Sequence, residues 1–391
     1  MLVQVMYQIF VVCAPGLEPY LFQELHELGL SAVTSHSSNR TPFIEESGGF
    51  EIDGSLKDIY RANLNLATAS RVIVRLGRFN AAAFSELRKK AGRLAWETYL
   101  RPGQPVAIRA TCHKSKLYHS DAVIDRVAGA IGDHLGQPSV ILKYDENSSQ
   151  PLPQLVIVRL VHDLCTISID SSGAPLHRRG YRQAVAKAPL RETLAAGLLL
   201  ASGWDRISPL LDPFCGSGTI PIEAALLAMR IPPARSRHFA FMDWPGFLQN
   251  EWKEVQEDAE ARILSFNSLI LASDRDAGAI EMAQANAVRA RVDSVIQFSR
   301  HAISTIEPPP GIGWIVTNPP YGVRVSQRQD LRDLYAKLGT ILHQRFMGWR
   351  VGILCNDLRL IGQTGLHFTH EIPLTNGGIR VKFYLANVST S

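Results

Sequence analysis

Hydrophobic and polar positions divide the chain into two halves with different patterns. In the first half, apolar runs of strand length alternate irregularly with stretches whose apolar residues recur at helical spacing. The predicted strands are Tyr7–Cys13, Phe50–Ile52, Arg71–Leu76, Val106–Ala110, Val140–Lys143, Leu155–Leu160 and Cys165–Asp170, and the predicted helices are Leu17–Leu28, Leu56–Leu66, Ser85–Tyr99 and Ser120–Leu135. This irregular mixture favours an α+β arrangement.

From about residue 189 onward, strands and helices alternate regularly. The predicted helices are Arg191–Ser202, Ile220–Met229, Ala277–Ala290 and Asp330–Phe346, and the predicted strands are Ser208–Leu211, Leu269–Ser273, Ser294–Phe298, Trp314–Thr317 and Arg350–Cys355. Repeated strand–helix units form mostly parallel sheets with helices on both faces. The tail around Asn376–Gly378 predicts a terminal hairpin, and the boundary between the halves is expected within residues 165–190.

The composition is that of a globular protein. The chain has 391 residues, of which 46% are hydrophobic and 20% charged, so two or three domains are expected. No apolar run reaches the roughly 18 residues of a membrane-spanning helix, and the N-terminus lacks a basic leader before an apolar block. We therefore expect a cytoplasmic protein without a membrane partner. The five cysteines lie far apart, outside any zinc-binding spacing, which favours free thiols and no metal.

Positive charge is concentrated in two stretches, although the net charge is only +5. Residues 71–126 carry twelve Lys and Arg against four Asp and Glu, and residues 177–191 carry no acidic residue at all. A solvated helix face explains most charge runs, whereas two such stretches before the second half favour a polyanionic partner. The candidate contacts are Arg88, Lys89, Lys90, Arg93, Lys114, Lys116, Arg178, Arg179, Arg182 and Lys187.

A glycine-rich sequence, DPFCGSGT at residues 212–219, lies where a predicted strand ends and a helix begins. Glycine lets a ligand approach the backbone closely, and the N–H groups of the following helix can bind an anionic group such as a carboxylate. The lysine of a nucleoside-triphosphate loop is missing. The candidate ligand-binding residues of this loop are Asp212, Phe214, Cys215, Gly216, Ser217, Gly218 and Thr219.

The next strand ends in the sequence SDRD at residues 273–276. Asp274 comes directly off the strand, where a carboxylate can accept hydrogen bonds from both hydroxyls of a ribose. Asp276 is better placed to cap the following helix, and Arg275, which lies between them, is a further candidate ligand-binding residue. The preceding insertion contains an aromatic group that favours a local core over a base-stacking shelf: Phe239, Phe241, Trp244 and Phe247.

The sequence NPPY at Asn318–Tyr321 again follows directly after a predicted strand. An exocyclic amine is a weak nucleophile because its lone pair is delocalised into the ring. The Asn318 side-chain carbonyl and the Pro319 backbone carbonyl can hold both N–H groups and aim the lone pair at a methyl donor. Pro319 and Pro320 stiffen the turn, and Tyr321 offers a ring on which an extruded base can stack. The motif therefore predicts methyl transfer to an amino nitrogen.

These motifs, together with the linker sequence His177–Arg182, resemble the THUMP-domain RNA guanine-N2 methyltransferases. The resemblance covers nearly the whole chain and is most specific in the second half. It implies a C-terminal Rossmann-like class I methyltransferase domain with a mostly parallel seven-stranded sheet, preceded by an α+β ferredoxin-like and THUMP region that binds RNA. The implied domains are residues 1–60 (ferredoxin-like), 61–165 (THUMP-like), 166–187 (basic linker) and 188–391 (methyltransferase).

The resemblance also implies S-adenosylmethionine as the cofactor. It places Asp212 and Gly216 against the methionine end of this cofactor, and the segment with Leu190 and Thr193 over it. The most similar subgroup makes N2-methylguanosine in bacterial large-subunit ribosomal RNA, so the implied partner is structured RNA, either 23S ribosomal RNA or a precursor particle. His301 stands where the family has an acidic residue that binds the cofactor adenine. Its imidazole either accepts one hydrogen bond there or is an ordinary surface histidine.

Other functions are compatible with the NPPY motif. A transfer-RNA guanine-N2 methyltransferase would use the same site. Methylation of adenine N6 in DNA explains the motif equally well, because both targets are aromatic amines, but it leaves the THUMP-like half unexplained. A non-enzymatic RNA-binding factor would require a decayed active site, and every core catalytic position is intact.

Overall fold

The computed structural model describes residues 5–30, 44–46, 48–146, 151–183, 190–321 and 328–389, and it contains two seven-stranded sheets. The elements of the N-terminal half are β1 Tyr7–Cys13, α1 Glu18–Glu27, β2 Ile44–Glu46, β3 Gly49–Gly54, α2 Leu56–Asn65, β4 Ala69–Asn80, α3 Phe84–Ala91, β5 Val106–His113, α4 Ser120–Leu135, β6 Gln154–Val161 and β7 Leu164–Asp170. Those of the C-terminal half are α5 Glu192–Ala201, β8 Leu210–Asp212, α6 Thr219–Ala228, α7 Gln249–Glu260, β9 Ile270–Asp274, α8 Ala277–Ala290, β10 Ile296–Arg300, β11 Trp314–Thr317, α9 Arg328–Arg345, β12 Arg350–Cys355, α10 Leu358–Gln363, β13 Phe368–Asn376 and β14 Ile379–Asn387.

The N-terminal half forms one continuous sheet with the strand order β2-β3-β1-β4-β7-β6-β5. The twelve-residue strand β4 pairs with β1 on one side and with β7 on the other. The ferredoxin-like and THUMP-like parts therefore share a strand and a backbone hydrogen-bond ladder. Helix α2 runs through position 60 and strand β7 runs through position 165, which are the expected positions of two domain boundaries.

Two predicted elements of this half are wrong. The helix predicted over Ser85–Tyr99 ends at Ala91, and a separate 3-10 turn follows at Trp96–Thr98. The Trp96 ring is fully buried and its indole N–H donates to the Ala91 carbonyl at 2.8 Å, so the chain turns to bury this ring. The strand predicted at Val140–Lys143 makes only a single bridge to β5, and its apolar side chains are exposed.

The C-terminal half forms the predicted mostly parallel sheet, with the strand order β10-β9-β8-β11-β12-β14-β13. Strands β8 to β12 run parallel, and the predicted terminal hairpin adds β14 antiparallel to β12. The direction of strand succession reverses between β8 and β11. The predicted fold class, an α+β region followed by a Rossmann-like domain, is confirmed.

The insertion between α6 and β9 fastens the two halves together. Its aromatic rings form the expected core, but this core is shared with rings of the N-terminal half. The ring centroids of Tyr60 and Phe241 lie 4.5 Å apart, and those of Tyr99 and Trp244 lie 4.9 Å apart. The Trp244 indole N–H also donates to Gln154 Oε1 at 2.9 Å. These aromatic rings therefore pack between the halves and are not available to stack on a base.

A buried charge network also joins the two halves. We call this network, together with the aromatic rings above, the seam between the halves. The Arg179 side chain is 1% exposed and donates to the backbone carbonyls of Leu176 at 2.8 Å and Ala67 at 2.5 Å. It also lies 3.4 Å from the Glu223 carboxylate on α6, which accepts a hydrogen bond from the Tyr181 hydroxyl at 3.0 Å. Burial raises the pKa of the Glu223 carboxyl, and the charge of Arg179 opposes this effect.

Two arginines of the basic linker were expected to contact RNA, and the structure corrects this expectation. Arg179 is enclosed in the seam described above. Arg182 turns inward, donating to the Leu190 carbonyl at 2.9 Å and to the Thr219 hydroxyl, with its Nε 3.5 Å from the Glu192 carboxylate. Each guanidinium group lies beside a buried carboxylate, Arg179 beside Glu223 and Arg182 beside Glu192. A buried carboxylate requires such a counter-charge, so neither arginine is free to bind phosphate.

The other candidate RNA contacts in the described chain lie at or near the surface. Arg88 is exposed and ion-paired with Asp133 at 2.7 Å, and Lys90 is half-buried beside Glu86 at 2.6 Å. Lys187 lies outside the described residues. The remaining candidates, all exposed, are Lys89, Arg93, Lys114, Lys116 and Arg178.

Gly16→Ala should lower the melting temperature more than Gly29→Ala. Both positions have a positive φ, +91° and +63°, so both variants carry the left-handed backbone penalty of about 1–2 kcal/mol. A Cβ at Gly16 would also lie 2.3 Å from the Pro373 carbonyl oxygen, whereas no described heavy atom lies within 4 Å of one at Gly29. Thermal unfolding compares the two variants. Equal shifts would contradict close packing of the N-terminal loop on the hairpin.

Arg179→Ala should destabilise the protein by about 3–5 kcal/mol, because it leaves Glu223 buried without its counter-charge. Arg178→Ala is the matched control: this exposed arginine should change the free energy of unfolding by less than about 0.5 kcal/mol. Urea unfolding followed by tryptophan fluorescence measures both. The double variant Arg179→Leu with Glu223→Leu removes both charges and should recover most of the loss. Failure to recover would mean that Arg179 acts through the backbone carbonyls alone.

Candidate active site

The carboxyl ends of the parallel strands bring the predicted motifs to one edge of the second sheet. Asp212 ends β8, Asp274 ends β9, His301 follows β10 and Asn318 follows β11. The strand order reverses between β8 and β11, and open α/β sheets bind their ligands in the crevice at such a reversal. The glycine-rich loop and the NPPY turn lie on its two sides.

The glycine-rich loop leaves open space on one side and packs tightly on the other. Gly216 has φ +52°, and no described heavy atom lies within 4 Å of the place its Cβ would take. At Gly218, with φ +86°, a Cβ would lie 3.0 Å from the Cβ of Ala283 on α8. The Asn286 side-chain amide of the same helix donates to the Ser217 carbonyl at 2.9 Å. Helix α8 therefore packs against the loop at Ser217 and Gly218, while Gly216 faces free space.

Three other residues of the loop hold it in place. The Cys215 backbone N–H donates to the Ser273 carbonyl at 3.0 Å, and burial raises the pKa of its thiol well above the usual value. Cys215 is therefore a packing residue and not a thiolate nucleophile. Phe214 is half-buried against the core beneath β11 and β12. Thr219 begins α6 and is buried, with its hydroxyl accepting from Arg182.

Asp212 links the glycine-rich loop to the strand that carries the NPPY motif. Its side chain is 2% exposed, and its Oδ1 accepts from the Thr317 hydroxyl at 2.7 Å and from the Phe214 backbone N–H at 3.2 Å. Burial raises the pKa of Asp212 to about 7, the negative charge of Asp274 adds to this, and the two hydrogen bonds oppose it. A carboxyl poised in this way stabilises a cation placed beside it.

Asp274 closes the loop from the opposite side. One carboxylate oxygen accepts from the Gly216 backbone N–H at 3.0 Å, and the other accepts from the Asp276 backbone N–H at 3.0 Å. The side chain is half-buried and retains acceptor capacity toward the crevice. Asp276 caps α8 through the Gly278 N–H at 2.9 Å, as predicted. Arg275 is exposed.

The remaining candidate cofactor residues differ in exposure. His301 is exposed; its backbone N–H donates to the Asp274 carbonyl at 3.1 Å, and its Nδ1 lies 3.3 Å from the Thr305 hydroxyl. The His301 ring is therefore held beside the end of β9. Leu190 and Thr193 are buried at the start of α5.

The NPPY turn carries a polar atom without a partner. Asn318 Oδ1 is buried and accepts no hydrogen bond from any described residue. Pro319 is buried and Pro320 is exposed. The Tyr321 hydroxyl accepts from the side-chain amide of Asn376 at 3.3 Å, and burial raises its pKa. The hairpin thus fixes the tyrosine ring while the asparagine acceptor stays available. An orphaned buried acceptor costs about 1–3 kcal/mol, which indicates that a ligand satisfies it.

Two positioning residues of this site were not found by sequence analysis. Thr317 immediately precedes the NPPY motif, and a hydroxyl at the last position of a buried strand was the available signal. Asn376 is 55 positions from Tyr321 in sequence, and nothing in its local sequence points to this contact. In the described part of the chain, no group of His, Cys, Asp and Glu side chains is arranged to hold a metal ion, and no helix could span a bilayer.

The residues present fit S-adenosylmethionine, which supplies an electrophilic methyl group on a sulfonium. Open space over Gly216 admits a ligand against the backbone. The buried Asp212 carboxyl suits the cationic methionine end. The free acceptor capacity of Asp274 suits a ribose.

Three family models match consecutive parts of the chain. They are the RlmL ferredoxin-like domain over residues 8–73, the THUMP domain over residues 81–170 and the RMKL-like methyltransferase domain over residues 179–381. A Synechocystis sp. protein named as a candidate RNA methyltransferase is 34% identical over 375 residues, covering 95% of this chain and 94% of that protein.

A second relative is longer than this chain. The ribosomal RNA large subunit methyltransferase K/L of Methylococcus capsulatus is 34% identical over 395 residues, covering 97% of this chain and 51% of that protein. The chain therefore spans about half the length of the K/L relatives it matches.

A solved structure connects this fold to the cofactor. SMU.472, described as a candidate methyltransferase and solved with S-adenosylhomocysteine, is 27% identical with a TM-score of 0.84 over 100% of both chains. S-adenosylhomocysteine is what remains of S-adenosylmethionine after the methyl group has left. The chain therefore belongs to the RMKL-like methyltransferase family and is an S-adenosylmethionine-dependent methyltransferase.

Proposed function

We propose that the protein methylates the exocyclic N2 amino group of a guanine in RNA. The buried, unpartnered Oδ1 of Asn318 carries this proposal. It offers an acceptor for an amine N–H at the edge of the sheet where the cofactor loop ends. A ring carbon as the target would carry no N–H or O–H group to donate to this acceptor.

The site's own residues perform the step by orientation and fixed dipoles. Asn318 Oδ1 accepts one N–H of the target amine, and the Pro319 carbonyl accepts the other, so that the nitrogen lone pair turns toward the methyl group. The Tyr321 ring, held by Asn376, stacks on the extruded base. Because the Tyr321 pKa is raised by burial, its hydroxyl remains neutral and does not act as a base. The excess proton leaves the product amine for solvent.

We propose 23S ribosomal RNA, or a precursor particle, as the substrate. The THUMP match and the K/L relatives support this choice. We assign phosphate contacts to the exposed residues Lys89, Arg93, Lys114 and Lys116. The ring of Tyr118, which is 69% exposed and has its centroid 4.1 Å from that of His119, adds an aromatic surface beside Lys114 and Lys116 in the chain.

We also propose to divide the chain by its elements. The expected division was 1–60, 61–165, 166–187 and 188–391. Moving the first boundary past α2 and the second past β7 keeps both elements intact. The family matches over residues 8–73, 81–170 and 179–381 support these positions.

Full-length protein should methylate protein-free 23S ribosomal RNA, and the product should be N2-methylguanosine. Asn318→Ala should lower turnover by roughly two orders of magnitude or more, as expected for loss of a transition-state contact, while cofactor affinity stays within about twofold. Nucleoside mass spectrometry identifies the product, and calorimetry measures cofactor binding. Turnover above half of the wild-type value in this variant would refute the role of Asn318.

Transfer RNA and duplex DNA serve as competing substrates in the same assay. N6-methyladenine in DNA as the main product would replace the proposed function with DNA adenine methylation, since the same acceptors can hold an adenine amine. N2-methylguanosine formed faster in transfer RNA than in ribosomal RNA would keep the chemistry and change the substrate.

Asp274→Ala should weaken cofactor binding about ten- to a hundredfold, because it removes a charged ribose acceptor worth about 1.5–3 kcal/mol. It also releases the Gly216 N–H. Asp276→Ala is the matched control: it removes only the cap of α8, so it should cost about 1 kcal/mol of stability and leave the cofactor Kd unchanged. Calorimetry and thermal unfolding separate the two effects. If the control weakens cofactor binding instead, Asp276 holds the ribose.

A further inference from the structure

One groove of the C-terminal half has no role in the site described so far. Its cavity is about 610 Å³, and it runs between the N-terminal loop Pro15–Gly16, the residues after β12 and the β13–β14 hairpin. We call this the hairpin groove. A cavity of this size lies within the range of small-molecule and nucleotide sites.

The sheet topology places the hairpin groove next to the target-base site. Strand β12 runs parallel to β11, so Asn356 after β12 and Asn318 after β11 lie at the same edge, one strand apart. The hairpin that forms one wall ends in Asn376, which donates to the Tyr321 hydroxyl. The groove therefore lies between the strand next to β11 and the hairpin that holds Tyr321.

The N-terminal half supplies the opposite wall. Gly16 is packed so closely on the hairpin that a Cβ would lie 2.3 Å from the Pro373 carbonyl oxygen. The groove thus exists only when the halves are docked. An RNA strand that is bound by the N-terminal half and reaches Asn318 would pass close to this groove.

The lining combines an apolar surface with positive charge. Leu358, after β12, is 64% exposed, and Pro373 is exposed on the hairpin. Lys382 is ion-paired with Glu371 at 2.6 Å, whereas the exposed side chain of Arg380 makes no hydrogen bond or ion pair with any described residue. Sites for single-stranded nucleic acid combine a surface on which a base packs with a positive charge that binds a phosphate. The hairpin groove has both features.

We propose that the hairpin groove binds the nucleotide adjacent to the target base in the RNA strand. Its phosphate lies on Arg380, and its base packs between Leu358 and Pro373. Extruding a base from a stem separates it from its neighbours at a cost of a few kcal/mol, and holding the neighbouring nucleotide apart keeps the target extruded. This inference rests on RNA being the substrate.

The experiment compares Arg380→Glu with Arg359→Glu in the full-length protein, using protein-free ribosomal RNA. Arg359 is exposed on α10 next to Leu358 but does not line the groove. Arg359→Glu therefore makes the same change of charge near the groove without changing its lining. Arg380→Glu should raise the KM for RNA about tenfold, as for loss of a phosphate contact. kcat and the Kd for S-adenosylmethionine should stay within about twofold. Arg380→Lys should restore most of the affinity.

Two further measurements separate a nucleotide contact from a structural effect. Arg380→Ala should reduce the slope of log affinity against log salt by about 0.7, the value for one phosphate of a single strand. Leu358→Ala should raise the KM for RNA about three- to tenfold without changing the salt slope. A purely structural defect would instead lower the melting temperature and change the cofactor Kd.

The outcomes are distinguishable from failure of the proposed function. If the wild-type protein does not methylate RNA, the proposed function fails. If the wild-type protein methylates RNA and Arg380→Glu retains its KM and salt slope, the groove assignment is overturned. An equal loss in Arg359→Glu would also overturn it, because general surface charge would then explain the effect.

Discussion

A single buried hydrogen bond, from the Thr317 hydroxyl to Asp212 Oδ1 at 2.7 Å, holds the catalytic edge together. It spans the strand reversal, where β8 and β11 pair through Trp314 with Leu210 and through Ile315 with Leu211. Beyond those pairs, no further pairing of β8 with β11 is described, and this side-chain contact joins the two strand ends. The contact therefore ties the strand that leads into the glycine-rich loop to the strand that leads into Asn318.

Burial of the Asp212 carboxyl makes the free energy of unfolding depend on pH. Because the folded pKa of Asp212, about 7, is raised above the unfolded value, the stability linked to its protonated form is present below about pH 4 and lost as the pH rises through 7. At neutral pH this carboxyl is therefore only partly ionised, because burial disfavours its charged form. A cation placed beside this carboxyl would favour its ionised form.

The sequence was sufficient for the parts of this fold that local pattern and motif chemistry determine. Helix α8 and strands β11 and β12 have the predicted bounds, and Asp276 caps its helix as expected. What failed depends on the tertiary structure. Trp96 ends the predicted helix because its ring is buried elsewhere. The contact of Asn376 with Tyr321 joins distant segments and carries no local signal.

The linker arginines show how charge in a sequence can mislead. Arg179 and Arg182 lie in a run that reads as a phosphate-binding stretch, yet each compensates a carboxylate, Glu223 or Glu192, that the second half buries. Burial raises the pKa of Glu192 to about 7, with Arg182 opposing it. Separating the halves would expose these carboxylates and the aromatic seam together. Point variants of the whole chain keep these contacts between the halves, whereas truncation would remove them.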